Sequence, residues 1–349
     1  MIREEKERIS RHEQAALREK AVGALIRLGA WFRQAPDEAD FARTIEKAQS
    51  ENPWFTPQNI RFAMRQWGRS LTEEAIRKWS ARYPCADRCG RVLLVLAGNI
   101  PMVGLHDILC TYLSGHRALI KTSRDDTVLI KAAVDFLQET EPDLADRLLL
   151  SRSLEHKSID AVIATGSDQA RQYFEYYFRD TATLLRHARY SIGVVGPDTS
   201  DEQLELLADD MMLYFGLGCR NVSLVLVPQD FDMNRLCRAL GKYADVAHHA
   251  RYRNNYDYRR AIQSLSDPQG VYDTGFLLLV PREDPQMPIG MAGYGRYDRR
   301  EEVLATVERL REKLQCVVGD GFLPWGSAQR PALDEYADGV DTMAFLRSV

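Results

Sequence analysis

The stretch Arg91-Val-Leu-Leu-Val-Leu-Ala-Gly-Asn-Ile-Pro101 decides the fold. Its residues 92–97 form a continuous apolar run, which is the pattern of a strand buried on both faces. Gly98 to Pro101 then turn the chain, and an apolar stretch follows from Met102 to Leu113. A buried strand, a turn and a second apolar segment predict the first unit of an alternating α/β fold.

The same alternation continues along the chain. We predict further strands at 117–121, 161–165 and 191–195, with helices at 126–138 and 168–179 between them. Such alternation favours parallel pairing in a doubly wound sheet, whose ligands bind beyond the carboxyl ends of the strands. Five polar or small residues fall at or just past these ends, namely Asn99, Lys121, Thr165, Gly166 and Ser167.

A second stretch, Tyr214-Phe-Gly-Leu-Gly-Cys-Arg-Asn-Val-Ser223, contains the candidate nucleophile. A helix is predicted before it, at 201–213, and a short apolar strand after it, at 223–228. Gly216 and Gly218 permit a tight backbone turn. Cys219 therefore lies where backbone N–H groups can meet a developing negative charge. The alternative is that Cys219 is a small buried hydrophobe.

Composition and charge exclude several classes of protein. The chain has 349 residues and a net charge of -4, so it lacks the basic surface of a nucleic-acid-binding protein. No apolar run reaches the roughly 18 residues that span a membrane. Residues 3–8 are all charged, so residues 1–8 lack an apolar signal-peptide core, and we expect a cytoplasmic protein. The cysteines at 85, 89, 110, 219, 237 and 316 form no disulfide framework, and no Cys/His set predicts a metal site.

Each motif has a second interpretation. The Asn99 amide suits an oxyanion donor, but Gly-Asn before proline is also a good turn. Lys121 suits a phosphate or ribose hydroxyls, or it is a solvated lysine. Gly166-Ser167 at a helix start suits a phosphate, or it is an ordinary N-cap. The Gly-x-Gly-x-x-Gly fingerprint, the Walker loop and His-Glu-x-x-His are all missing from the sequence.

The order of these motifs resembles the aldehyde dehydrogenase superfamily. Asn99-Ile-Pro101 resembles its oxyanion Asn-Phe-Pro, Lys121-Thr-Ser-Arg124 its ribose-binding Lys-Pro-Ser-Glu, and Thr165-Gly-Ser167 its pyrophosphate-binding Thr-Gly-Ser. Gly216-Leu-Gly-Cys219 resembles the turn of its nucleophile. Gly218-Cys-Arg-Asn-Val-Ser223, Asn254-Asn-Tyr-Asp-Tyr258 and Tyr336-Ala-Asp-Gly-Val-Asp341 are similar to the acyl-CoA reductase branch, which includes the fatty-acyl reductase of bacterial luminescence.

The resemblance implies an aldehyde dehydrogenase-like α/β fold, with two interleaved doubly wound parallel-sheet domains and a helical N-terminal region. We expect helices at 1–90 packed on the coenzyme domain, a coenzyme-binding domain at 91–197, a catalytic domain at 198–320 and a tail at 321–349. It also implies roles for single residues. Cys219 would be the nucleophile and Asn99 the oxyanion donor, and the coenzyme would be bound by Lys121, Ser123, Arg124, Thr165, Gly166 and Ser167. Independently of the resemblance, His248 and His249 are titratable side chains in the polar segment 248–258, so they are either candidate acids or surface or structural histidines.

Two departures from the superfamily pattern refine the expected activity. The segment Leu184-Leu-Arg-His-Ala-Arg-Tyr-Ser191 lacks the glutamate that activates water in the dehydrogenases, so hydrolysis to a free acid is not expected. Arg124 replaces a glutamate that would repel a ribose 2′-phosphate, and this favours NADPH over NADH.

The resemblance therefore implies an NADPH-dependent acyl-CoA reductase that works through an acyl-Cys219 intermediate. Its substrate would be acyl-CoA, its partner an acyl-protein synthetase or transferase, and its assembly a homo-oligomer. Two alternatives remain open at this point. One is a non-catalytic nucleotide-binding member of the fold, and the other is an acyl transferase or synthetase component that uses Cys219 as acyl carrier.

Overall fold

The structure, a computed structural model, describes residues 11–84, 88–151, 158–166, 168–265 and 269–349. Its helices are α1 (Arg11–Gln34), α2 (Ala39–Glu51), α3 (Pro57–Ser70), α4 (Glu73–Ala81), α5 (Leu105–Ser114), α6 (Thr127–Thr140), α7 (Asp168–Tyr177), α8 (Asp201–Met212), α9 (Met233–Leu240), α10 (Ala250–Leu265), α11 (Arg300–Leu310) and α12 (Thr342–Arg347). Its strands are β1 (Arg91–Val95), β2 (Arg117–Lys121), β3 (Leu148–Leu150), β4 (Ala161–Thr165), β5 (Ala182–Arg186), β6 (Tyr190–Val194), β7 (Val222–Pro228), β8 (Tyr272–Asp273), β9 (Leu278–Pro281), β10 (Met291–Tyr297) and β11 (Leu314–Gly319).

The first sheet is parallel and has the order β3-β2-β1-β4-β5. β1 is its central strand, because Leu93 pairs with Leu119 on one side and with Val162 on the other. Successive residues of a strand face opposite sides. Leu94 accordingly packs in one hydrophobic cluster and Leu93 in another. Burial of both faces explains why this strand is apolar without alternation.

The N-terminal helices share the core of this first sheet. Leu25, Leu28 and Phe32 of α1 have no exposed surface and lie in the same cluster as Leu94. Burial of one such side chain stabilises the fold by about 1.5–3 kcal/mol. The predicted helix at 1–34 is described from Arg11 onward, and residues 1–10 lie outside the described part of the chain. Among the described helices, none is both long and apolar enough to cross a bilayer.

The second sheet has the order β11-β6-β7-β10-β9-β8. Its neighbouring strands are parallel, except that β8 runs antiparallel to β9. The strand predicted at 191–195 is β6, and its assignment to the coenzyme domain was wrong. Ile192 pairs with Leu224 of β7 and Val317 of β11, so β6 belongs to the second sheet. A short apolar run predicts a buried strand but does not predict the strands with which it pairs. The sequence therefore did not show to which of the two sheets β6 belongs.

The chain divides into two compact units, Met1–His187 with Ala332–Val349, and Ala188–Pro331. The first unit is therefore interrupted by the second, as interleaving requires. Their limits differ from the expected domain limits at 197 and 320. The expected tail is also divided, since residues up to Pro331 stay with the second unit and those from Ala332 return to the first.

The returning segment is held in the first unit by buried polar contacts. Arg186, at the end of β5, forms an ion pair with Asp107 of α5 at 2.6 Å and donates to the Thr342 hydroxyl of α12 at 2.9 Å. The indole N–H of Trp79 donates to the Tyr336 hydroxyl at 2.8 Å. A buried charge must be paired to be tolerated. The pairing of Asp107 with Arg186 thus joins residues distant in sequence within one unit.

Candidate active site

Cys219 lies on a left-handed turn in the second unit. After α8 ends at Met212, three successive residues have positive φ, with values of 54° at Tyr214, 59° at Phe215 and 74° at Gly216. A non-glycine residue in this region costs on the order of 1–3 kcal/mol and persists only where its surroundings determine it. The strained turn directs the chain away from the helix before β7 begins at Val222.

The side chain of Asn221 supplies much of that support. Its amide nitrogen donates to the backbone oxygens of Asp210, Met211 and Leu213 at 3.2, 3.3 and 2.8 Å. Its amide oxygen accepts the Gly218 N–H at 2.8 Å. The last carbonyls of a helix have no partner within the helix. Asn221 therefore caps α8 and holds the cysteine turn with one buried side chain.

Cys219 is the exposed member of the five cysteines in the described part of the chain. Cys110 and Cys316 are buried, Cys89 and Cys237 are half-buried, and Cys85 lies outside the described residues. Burial raises the pKa of the Cys110 and Cys237 thiols, which disfavours their reactive thiolates. The Cys219 carbonyl accepts from the Ser191 hydroxyl at 3.0 Å, so the backbone of the cysteine is anchored while its thiol is accessible.

The structure distinguishes the two candidate histidines. His249 precedes α10, and its Nδ1 accepts the Tyr252 N–H at 3.3 Å. A neutral imidazole that accepts at Nδ1 has its proton on Nε2. The His249 ring packs on Phe215 of the cysteine turn with centroids 4.6 Å apart. The His248 side chain is 84% exposed, and its Nδ1 lies 3.7 Å from an Asp245 carboxylate oxygen. The His249 ring thus contacts the turn that carries Cys219, whereas the His248 side chain is mostly exposed.

A buried carboxylate holds the segment that follows β11. The oxygens of Asp210, on α8, accept the N–H groups of Gly326 and Ala328 at 2.7 and 2.9 Å. Burial raises the pKa of Asp210 to about 6, although these two donors oppose the shift. The Ala328 carbonyl in turn accepts from the Arg220 guanidinium. Asp210 was not predicted from the sequence, because a single aspartate on a helix gives no pattern.

The candidate coenzyme residues lie at one edge of the first sheet. Val95 of β1 pairs with Lys121 of β2 and with Ala164 of β4. These parallel strands end side by side, so Lys121, Thr165 and the loops that follow them share the carboxyl edge. Ser123 begins a 3-10 turn, and its hydroxyl accepts the Asp125 N–H at 3.2 Å. Gly166 follows β4 directly, and Ser167 lies outside the described residues.

Two contacts join the loop after β1 to the loop after β2. A Cβ on Gly98 would lie 2.6 Å from the Ser123 Cβ, so only glycine permits this approach. A carboxylate oxygen of Asp126 accepts the Met102 N–H at 2.6 Å, and Met102 has a φ of 60°. Desolvation raises the pKa of buried Asp126 well above its usual range. Asn99 is exposed on the loop that these contacts hold.

Arg124 is exposed at this edge. Among the residues that the structure describes, including its neighbours Asp125 and Asp126, it forms no ion pair. The cationic side chain of Arg124 and the close approach of the two loops at Gly98 fit the phosphate and ribose of a dinucleotide. Within the described ranges, no group of three His, Cys, Asp or Glu side chains could hold a metal ion.

The two sheets and their connections define an aldehyde dehydrogenase-like fold. The chain superposes on the NAD+-bound aldehyde dehydrogenase of Mycobacterium tuberculosis with a TM-score of 0.57 at 15% identity, over 85% of this chain and 71% of that one. It matches the NADP+-bound succinic semialdehyde dehydrogenase of Streptococcus pyogenes with a TM-score of 0.60 at 12% identity, over 88% and 80%. The likeness confirms the predicted fold.

The family is defined by sequence. The model of the acyl-CoA reductase (LuxC) family matches residues 54–256, which is more than half of the chain, and the chain belongs to this family. It is 24% identical over 200 residues to long-chain acyl-protein thioester reductase 2 of Photobacterium leiognathi, and 24% identical over 217 residues to long-chain acyl-protein thioester reductase of Aliivibrio fischeri. These matches cover 52% and 56% of this chain but only 41% and 44% of the relatives. The resemblance to the acyl-CoA reductase branch is confirmed.

Proposed function

We propose that the protein reduces an acyl-CoA thioester to the aldehyde with NADPH, through an acyl group held on Cys219. One observation carries the proposal. In a chain of the acyl-CoA reductase family, Cys219 is the exposed cysteine among those described, and it lies on a strained turn fixed by Asn221. Strain of this kind gathers at functional sites.

The first half of the reaction transfers the acyl group. The Cys219 thiolate attacks the thioester carbonyl, a new carbon–sulfur bond forms, and coenzyme A leaves as its thiolate and takes up a proton. The side-chain amide of Asn99 and the Cys219 N–H donate to the oxyanion, a role in which one donor is worth roughly 10²–10³ in rate. Covalent catalysis divides one difficult step into two easier ones.

The second half releases the aldehyde. Bound NADPH would supply the hydride, and its oxidation to NADP+ balances the two-electron reduction of the acyl group. The thiohemiacetal alkoxide on Cys219 then collapses to the aldehyde, a step that needs no added proton. The Nε2–H of His249, which packs on the cysteine turn through Phe215, serves the first half instead, where it donates the proton that the coenzyme A thiolate takes up. Cys219 leaves as a thiolate and is ready for a second acyl group. The segment 184–191 has no carboxylate to activate water, which favours reduction over hydrolysis.

The coenzyme is assigned to the carboxyl edge of the first sheet. Lys121 and Ser123 would bind the ribose, Thr165 and Gly166 the pyrophosphate, and Arg124 the 2′-phosphate of NADPH. The support is the shared edge of three parallel strands and the exposed guanidinium of Arg124. The solved structures of the same fold include complexes with NAD+ and with NADP+.

A thioester on a protein is the second candidate donor. The two curated relatives are named acyl-protein thioester reductases. Attack by Cys219 on such a thioester would break the bond to a protein sulfur instead of coenzyme A, with the same acyl-Cys219 product. A partner that presents acyl groups, such as an acyl-protein synthetase or transferase, follows from this second donor.

The test uses radiolabelled acyl-CoA of several chain lengths, with and without NADPH. We expect covalent labelling of the wild type, loss of the label on addition of NADPH, and formation of aldehyde with consumption of reduced coenzyme. Cys219→Ala should abolish labelling and leave coenzyme binding intact. Cys237→Ala, which removes a half-buried thiol of the same unit, is the matched control and should label normally.

The outcomes separate the alternatives. Binding of acyl-CoA and coenzyme without labelling or turnover would favour a non-catalytic member of the fold. A label that leaves for a second thiol without any nicotinamide would favour an acyl carrier. Labelling by an acyl-protein thioester but not by acyl-CoA would change the donor and keep the role of Cys219.

A further inference from the structure

We propose that Asn221 is a positioning residue for the reaction, which presets the backbone of the Cys219 turn without contacting the substrate. The proposal rests on the proposed function of Cys219. It concerns one unit of the molecule, since α8, the turn and β7 all belong to Ala188–Pro331.

The donor side of Asn221 fixes the beginning of the turn. Its two amide hydrogens serve the carbonyls of Asp210, Met211 and Leu213, all within 3.3 Å. The first two are at the end of α8, and the third is where the chain leaves the helix. Because the Asn221 side chain is only 3% exposed, water does not compete well for these bonds. The chain therefore enters Tyr214 and Phe215 from a fixed direction.

The acceptor side fixes the end of the turn. The amide oxygen of Asn221 accepts from Gly218, and the backbone N–H of Asn221 donates to the Gly218 carbonyl at 2.9 Å. Gly218 and Asn221 are thus joined twice, with Cys219 and Arg220 enclosed between them. The Leu217 N–H is also engaged, by the Tyr214 carbonyl at 3.1 Å. The backbone N–H groups of Leu217, Gly218 and Asn221 are thus all engaged within the loop, which fixes its path on both sides of Cys219.

Asparagine is the side chain that this arrangement requires. Aspartate retains the acceptor for the Gly218 N–H but places an oxygen against three carbonyl oxygens. Alanine loses both the acceptor and the donor contacts. Nucleophilic attack needs the sulfur placed within tenths of an ångström, and a misplacement of about 1 Å can lower a rate roughly 10²-fold. A turn that contains two left-handed non-glycine residues will not hold such a geometry without its clamp.

The test compares Asn221→Asp and Asn221→Ala with two controls. Asn234→Ala removes an exposed asparagine from the same unit. Val303→Ala destabilises the same unit by truncating a buried side chain of α11. For each protein we would measure hydrogen exchange of the peptide around residues 214–221, the single-turnover rate of Cys219 acylation, alkylation by iodoacetamide, and the dissociation constants of acyl-CoA and coenzyme.

We expect Asn221→Ala to exchange the Gly218 amide at least about 10-fold faster, since its acceptor is lost. Asn221→Asp keeps that acceptor, so its Gly218 amide should exchange more slowly than in Asn221→Ala, although the donor side of the clamp is lost. Acylation should fall by about 10²-fold with unchanged dissociation constants. Iodoacetamide, which makes no demand on geometry, should still alkylate the exposed thiol. The two controls should acylate at the wild-type rate.

Unchanged exchange at Gly218 in Asn221→Ala would overturn the clamp itself. Faster exchange with normal acylation, or an equal loss of acylation in Val303→Ala, would overturn the positioning role. A wild type that is never acylated refutes the proposed function instead. In that case the exchange data alone decide whether Asn221 holds the turn.

Discussion

At the scale of single residues, we expect Arg124 to determine the preference for NADPH over NADH. Its guanidinium is exposed just beyond the carboxyl end of β2. A charged hydrogen bond is worth about 1.5–3 kcal/mol, which corresponds to a tenfold or larger preference. Arg124→Glu should therefore shift the ratio of kcat/KM for NADPH and NADH at least about tenfold toward NADH.

The control for this prediction lies on the same strand. Arg117→Glu makes the same change of charge at the amino end of β2, the opposite edge of the sheet, and should leave the ratio unchanged. Equal ratios in all three proteins would place coenzyme specificity elsewhere in the chain.

Asp210 gives a prediction about pH. Its pKa is about 6 in the folded protein, against an ordinary value of 3.8, and burial is the main cause. Between these two values the folded state retains a proton that the unfolded state has lost. Stability from this group is thus fully present below about pH 4 and is lost as the pH rises through about 6, with a change on the order of 3 kcal/mol.

Urea unfolding of the wild type and Asp210→Asn over this pH range measures the effect. The free energy of unfolding of the wild type, relative to the variant, should decline as pH rises from about 4 to about 6 and then level off. Asp230→Asn, which removes an exposed aspartate of the same unit, is the control. A difference that does not vary with pH would contradict the raised pKa.

At the scale of elements, Gly98 keeps the loops after β1 and β2 in contact. An added Cβ would lie 2.6 Å from both the Cβ and the hydroxyl oxygen of Ser123, so these loops must separate in Gly98→Ala. Overpacking of this kind costs about 1–3 kcal/mol. If the loops bind coenzyme, Gly98→Ala should raise its dissociation constant by about 10-fold or more.

Calorimetric titration with NADPH measures this change. Gly241→Ala is the matched control, since no atom lies within 4 Å of the added Cβ and its φ of -53° suits alanine. Equal affinities in the wild type and Gly98→Ala would remove these loops from the coenzyme site.

The strands of the protein differ in how well the sequence predicts them. The central strands β1, β2 and β4 were predicted, because burial on both faces produces apolar runs. The edge strands β3 and β5 were not. Leu149 and Leu150 of β3 are 45% and 41% exposed, so an edge strand carries a weaker pattern. β10 was missed because glycine is rare in strands. Its Gly293 permits close approach, since a Cβ there would lie 2.5 Å from the Arg282 carbonyl oxygen.

The candidate reacting groups were proposed from the sequence, whereas the residues that hold their turns were not. Motif order indicated Cys219 and Asn99, since reactive groups occur in characteristic turns. The groups that hold those turns were missed, even though Asn221 lies within the same stretch as Cys219, residues 214–223. Asn221, Asp210 and Asp126 act through contacts with backbone atoms that only the folded chain brings near. Sequence spacing therefore suggested the reacting groups and gave no sign of their supports.

At the scale of the whole molecule, each sheet is parallel for most of its width but is assembled differently along the chain. The last strand of the first sheet, β5, ends at Arg186. The unit that contains this sheet also uses much later residues, since Trp79 donates to Tyr336 and Arg186 donates to Thr342. The second unit draws all of its residues from one continuous stretch, Ala188–Pro331. β6, the strand predicted at 191–195, belongs to the second sheet because it pairs with β7 and β11. Both of these strands come later in the chain, so the preceding sequence did not indicate them.

The return of residues 332–349 to the first unit has a consequence for biosynthesis. A chain leaves the ribosome from its amino end, and domains usually fold in that order. Here the continuous unit, Ala188–Pro331, is complete as soon as Pro331 has emerged. The earlier unit must wait for Thr342, which shares Arg186 with Asp107, and for Leu346, whose carbonyl contacts the His116 ring at 2.8 Å. We therefore expect the unit that is synthesised first to finish folding last.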